Sequence, residues 1–105
     1  MSSDQGQIER CKNEIHTIME RARGTIRTKA QANNQTVLLD GVERIKDAVA
    51  IWDLAGISSN LLRAKDDTRK LMRGKPVDMV MILNEFDSLE QEIGRLIPLM
   101  KKAKH

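Results

Sequence analysis

The sequence predicts an all-α protein, an elongated antiparallel three-helix bundle. Three observations predict it. Apolar residues recur at steps of three, four and seven along most of the chain, the spacing of one face of an α-helix. Aromatic residues are reduced to one Trp and one Phe, with no Tyr, whereas strands favour aromatic and β-branched side chains. The clearest punctuation, Gly74-Lys75-Pro76, leaves room only for a short connection, which makes the helices on either side antiparallel neighbours.

The first helix is expected over about Asp4–Ala32. Ser2 or Asp4 can cap it, and Ser2 with Gln5 has capping-box spacing. Ile8, Cys11, Ile15, Ile18, Ala22 and Thr25 then follow steps of three and four, as an a/d seam does. Met19 and Ile26 widen the seam, so this helix faces more than one neighbour. Gly24 weakens it. The polar run Lys29 to Gln35 suggests a link at Asn33–Gln35, where Asn favours turns.

The middle element, Thr36–Met72, organises the rest. Val37, Leu38, Val42, Ile45, Val49, Trp52, Ala55, Leu62, Leu71 and Met72 form its apolar stripe between charged residues. Unbroken, it would be a rod of roughly 55 Å at about 1.5 Å per residue, suited to a slender bundle. Its weak points are Gly41, Gly56 and the run Ser58, Ser59, Asn60. Glycine costs about 1 kcal/mol against alanine inside a helix, and Ser and Asn are good N-caps. A break near Ser58 would turn the three-helix bundle into a four-helix bundle.

The last helix is expected over Pro76–Met100. Gly74 suits the left-handed residue that follows a helix, and Pro76 the first turn of the next. Asp78 meets the positive end of the helix dipole there, and Lys101 and Lys102 the negative end. Val77 to Leu83 is apolar on nearly every side except Asp78, so it lies deep in the bundle or at a partner interface. Pro98 removes a backbone donor and should kink or end the helix.

Residues 1–105 have the size of one domain. An apolar share of 40% is too high for a disordered chain. The net charge of +3 does not by itself argue for nucleic acid. The single cysteine, Cys11, has no internal partner and fits a reducing compartment. No apolar run is long enough to span a bilayer, and no basic start followed by an apolar block marks a secretion signal. The expected place is the cytoplasm, with the nucleus or a virion interior as alternatives.

Site chemistry is sparse. His16 is followed by Thr17, Ile18, Met19 and Glu20, without the lysine and small residue that a phosphorylated histidine needs, so a solvent-exposed or boundary position is expected. Cys11 and His16, five apart, do not share a helix face, and no Glu-x-x-His pair occurs, so no metal is expected. Asp66 and Asp67 point about 100° apart on a helix and belong on a solvated face. Cys11 sits in the apolar seam, where a buried thiol is inert. No Gly-rich phosphate loop or nucleophile elbow is present. Catalytic and cofactor residues are therefore expected to be none.

The expected function is a non-enzymatic interaction or oligomerisation module, an adaptor or assembly subunit. Its partner is a protein, the chain itself included, contacted by Trp52, Met79, Met81 and Phe86. Trp in particular is enriched at interface hot spots. The alternative is a small nucleic-acid-binding protein. From Arg21 to Leu39 there is no acidic residue, while Arg21, Arg23, Arg27 and Lys29 offer four positive charges to phosphates. This patch lacks the aromatics that single-strand binders use for stacking.

Overall fold

A computed structural model of the protein describes residues 3–32 and 37–103 as four α-helices: α1 (Ser3–Ala32), α2 (Val37–Ala50), α3 (Leu54–Leu71) and α4 (Pro76–Ala103). No strand occurs among the described residues. The cap expected at Ser2, the link at Asn33–Gln35 and the start at Thr36 lie outside them. Each helix packs on two others: α1 on α2 and α4, α3 on α2 and α4. Ion pairs give the direction of packing. Arg21 meets Glu85 while Lys29, further along α1, meets Asp78, earlier in α4. α1 and α4 are therefore antiparallel. The same holds for α1 and α2, where Arg23 pairs with Glu43 and His16 lies against Trp52.

The four helices differ in length, and this shapes the molecule, which measures 50 × 19 × 19 Å. With 30 and 28 residues, α1 and α4 each run about 42–45 Å at about 1.5 Å per residue. α2 and α3, with 14 and 18 residues, reach only about 21–27 Å. The α2–α3 hairpin therefore stops short. Beyond it, the first turns of α1 and the last turns of α4 continue alone as a two-helix arm.

The core follows the expected apolar spacing in α1, α4 and most of α2, where Val37 is exposed, but not in α3. There Ala55 and Leu62, expected on the stripe, are exposed, because the break at Ile51–Asp53 resets the helix phase and turns Ile57, Leu61 and Ala64 inward. Ile8, Ile15, Ile18, Met19, Ala22 and Ile26 of α1 are buried, with Cys11 and Thr25 half-buried beside them. Leu38, Val42, Ile45 and Val49 of α2, Ile57, Leu61 and Ala64 of α3, and Ile82, Phe86, Leu89, Ile93 and Leu96 of α4 complete it. Met72, entirely buried, closes the core where α3 ends.

The single rod expected over Thr36–Met72 is two helices, and the break is at Ile51–Asp53, not near Ser58. Trp52 has φ 54°, in the left-handed region. Its N–H donates to the carbonyl of Val49 (3.1 Å), and the N–H of Asp53 donates to that of Ala48 (3.0 Å). This is the Schellman ending of a helix, in which glycine ordinarily holds the left-handed position. Asp53 then caps α3, its Oδ1 accepting from the N–H of Gly56 at 3.0 Å. Gly56 and Ser58–Asn60 thus fall inside the first turns of α3. Gly56 is needed there for space: a Cβ at that position would lie 2.8 Å from Asp53 Cγ and closer still to Oδ2.

Gly24 lies inside α1, within the span expected for that helix. Other punctuation behaves differently from expectation. Among the described residues no glycine has positive φ, so Gly74 is not the left-handed residue expected after α3. That turn is closed by the N–H of Lys75 donating to Met72 (2.9 Å), and Pro76 opens α4 as predicted. Pro98 does not end α4, which runs on to Ala103. Proline deprives one carbonyl, four residues back, of its donor. That residue is Gly94, where an added Cβ would meet open space.

Candidate interaction surfaces

Val77, Val80 and Met81 are 73%, 50% and 42% exposed. Spacings of three and four place them on one face of α4. The same face continues with the polar Asn84 and Ser88, so the apolar stripe is confined to the first turns. Val37, at the start of α2, is also exposed and lies at the same end of the molecule. Of the run Val77 to Leu83, only Ile82 is fully buried, with Met79 and Leu83 half-buried.

Phe86 requires a correction. It is entirely buried and belongs to the stripe Ile82, Phe86, Leu89, Ile93 that faces the other helices. It is a core residue and offers no partner contact. Met79 packs half-buried against the core, whereas Met81 faces outward.

Trp52 lies far from Met81, at the foot of the α2–α3 hairpin. Its left-handed backbone turns the indole towards α1 and the arm. The His16 ring meets it edge-on, with centroids 5.3 Å apart at 76°, a favoured aromatic geometry. Lys12 Nζ stands 5.2 Å from the indole centroid, within cation–π range. Beside it opens a groove lined by Trp52, Asp53, Leu54, Ile97, Met100 and Lys101.

The basic patch is largely answered by carboxylates. Arg21 Nε donates to Glu85 at 3.0 Å, and the Thr25 hydroxyl donates to the same carboxylate. Arg23 bridges Glu20 and Glu43, and Lys29 pairs with Asp78 at 3.3 Å. Arg27 is exposed and borders a small recess with Arg23, Leu39, Val42 and Glu43. A phosphate backbone would have to displace these acids before using Arg21, Arg23 or Lys29.

Cys11 is half-buried on the arm, in a groove with Arg10, Glu14, Glu92 and Arg95. Burial first, and the negative charge of Glu92 second, push its thiol above the ordinary value of 9.0. At neutral pH it is a thiol rather than the reactive thiolate. Among the described residues no group of three or more His, Cys, Asp or Glu could hold a metal. Asp66 pairs with Arg69 on a solvated face.

One functional-looking residue escapes the sequence pattern. Lys65 is buried, and its ammonium donates to Glu90 (3.1 Å) and lies 2.8 Å from Asp87. The bond to Asp87 raises its pKa, burial opposes this, and the bond to Glu90 adds to it. Lys65 thereby ties α3 to α4. Its acids lie more than twenty residues away, so no local spacing announces the contact.

No protein-family model, curated protein or solved structure matches the chain. Among the described residues, no helix is long and apolar enough to cross a membrane.

Proposed function

We propose that residues 1–105 form one cytoplasmic, non-enzymatic interaction domain. It is an elongated antiparallel four-helix bundle, serving as an adaptor or assembly subunit that presents an apolar helix face to a protein, a second copy of itself included. The observation that carries this reading is the exposed stripe Val77, Val80 and Met81. Each such side chain gains about 1.5–3 kcal/mol on full burial, part of which ordering and lost freedom on association remove. A stripe of three suits the centre of a modest interface.

The test is the mass in solution across a dilution series, for wild type and a Val80→Glu/Met81→Glu variant. Wild type should exceed the monomer mass of 11.9 kDa alone or with its captured partner. The variant should lose that mass while keeping its helical signal. Equal assembly and equal partner capture by both proteins would sink the reading.

A further inference from the structure

We propose that the groove at the base of the α1–α4 arm binds the apolar face of an acidic amphipathic helix from a partner protein, with Trp52 as its wall. This site lies at the opposite end of the molecule from Val77, Val80 and Met81. Met100 is twenty residues beyond Val80 in α4, about 30 Å along the axis. The inference does not depend on the stripe.

The first argument is the step in helix number. Where the α2–α3 hairpin ends, α1 loses α2 and α4 loses α3, and each keeps only the other. Ile97 and Met100 lie just past that point and stay half-buried against the core. Trp52 and Leu54 form one wall, and the groove is open beyond them. A helix laid here would continue the packing that α2 and α3 interrupt, as in helix-in-groove recognition.

The second argument is Trp52 itself. A bulky residue with φ 54° is a genuine outlier, and such strain persists where a particular placement is held in spite of it. Here the placement sets a half-buried indole at the mouth of the groove, and large half-buried aromatics are favoured anchors for partners.

The third argument is charge. Lys101 lines the groove and Lys12 stands over the indole. The one carboxylate of the lining, Asp53, accepts from the N–H of Gly56 as the cap of α3. Asp53 keeps its charge as a cap, so the two lysines outnumber one carboxylate, and carboxylates flanking an apolar stripe complement the net positive charge.

Trp52 is the only tryptophan, so its fluorescence reports the site in the full chain. The probe is a synthetic helical peptide of about 18 residues, five turns, with leucines on one face flanked by glutamates. A control peptide replaces every glutamate with lysine. The glutamate peptide should blue-shift Trp52 and bind more weakly in about 0.5 M than in about 0.05 M salt. Lys101→Glu should weaken it about threefold or more, and Met100→Glu about tenfold or more, with helical content unchanged. Met81→Glu should leave it intact, which separates this site from the stripe. Three outcomes would overturn the proposal. One is no binding, or equal binding of the lysine peptide. Another is a Trp52 shift with protein concentration alone, abolished by Met100→Glu, which would make the occupant a second copy. The third is a shift induced by anionic phosphatidylserine vesicles but not by the peptide, which would make it a lipid surface.

Discussion

Replacing Gly56 with Ala should reveal how the α2–α3 junction is built. Inside a helix this change ordinarily stabilises by up to about 1 kcal/mol. Gly56, however, is the third residue of α3, and its N–H is the donor that Asp53 caps. The added Cβ would fall 2.8 Å from Asp53 Cγ, well inside contact distance. Asp53 must rotate away and the cap is lost, at about 0.5–2 kcal/mol. The two terms nearly offset, leaving Gly56→Ala neutral to about 1 kcal/mol destabilising, or up to about 4–8 °C in Tm. The sharper quantity is the coupling. In an Asp53→Ala background there is no carboxylate to displace, so the same substitution should recover its ordinary stabilisation. Thermal and urea unfolding of wild type, both single variants and the double variant should give a coupling of about 1 kcal/mol or more. If Gly56→Ala raises stability equally in both backgrounds, the account of the cap is wrong.

Two further outcomes follow from the same physics. At Trp52 the left-handed backbone favours glycine over alanine by about 1 kcal/mol, so Trp52→Gly should be more stable in urea than Trp52→Ala, the reverse of the order inside a helix. A reading of equal stability, or alanine ahead, would refute the strain at this position. Lys65 has a folded pKa raised above the ordinary 10.5; the stabilisation it provides is therefore fully present below pH 10.5 and is lost as pH climbs through the raised value. Urea midpoints measured from about pH 9 to about pH 12 should fall more steeply for wild type than for Lys65→Met, and parallel curves would count against the buried ion pair.

Much of the fold was legible because the helices obey one simple constraint. Ile15, Ile45 and Ile93 fall on the three-and-four spacing that burial requires, and all are buried. In α3 the break at Ile51–Asp53 resets the phase, so that Leu62, on the stripe of an unbroken rod, is 61% exposed and Leu61 is buried in its place. Phe86 was equally legible as core, since it repeats the step from Ile82 to Leu89; it was expected at a partner interface, and its complete burial places it in the core instead. The middle break was displaced because glycine marks most left-handed helix ends, and here Trp52 takes that role. Gly56 drew attention for its flexibility, while its use is the absence of a Cβ beside Asp53. A better signal was Asp53 itself, an N-cap residue three places before it. The basic run looked free because most of its acids are distant in sequence: Glu20 is three residues from Arg23, but Glu43 is 20 from it and Glu85 is 64 from Arg21. Ion pairs of that separation appear only when the helices are docked.

The unequal helix lengths also decide how the molecule answers force. α1 begins and α4 ends on the arm, so Ser3 and Ala103 lie at the same end of the 50 Å axis. Tension applied across these two points pulls sideways on adjacent helix ends rather than along them. The seam then opens one turn at a time, as a zip does, beginning where only two helices meet. The packing of Ile8 and of Met100, near the arm's tip, is lost first, and the ties Arg21–Glu85 and Lys29–Asp78 are reached last. A grip on Val80 and Ser3 would instead load α1 and α4 in shear, with the contacts along the seam resisting together. The direction of pull thus separates a compliant end from a stiff one in a molecule made of a single structural material.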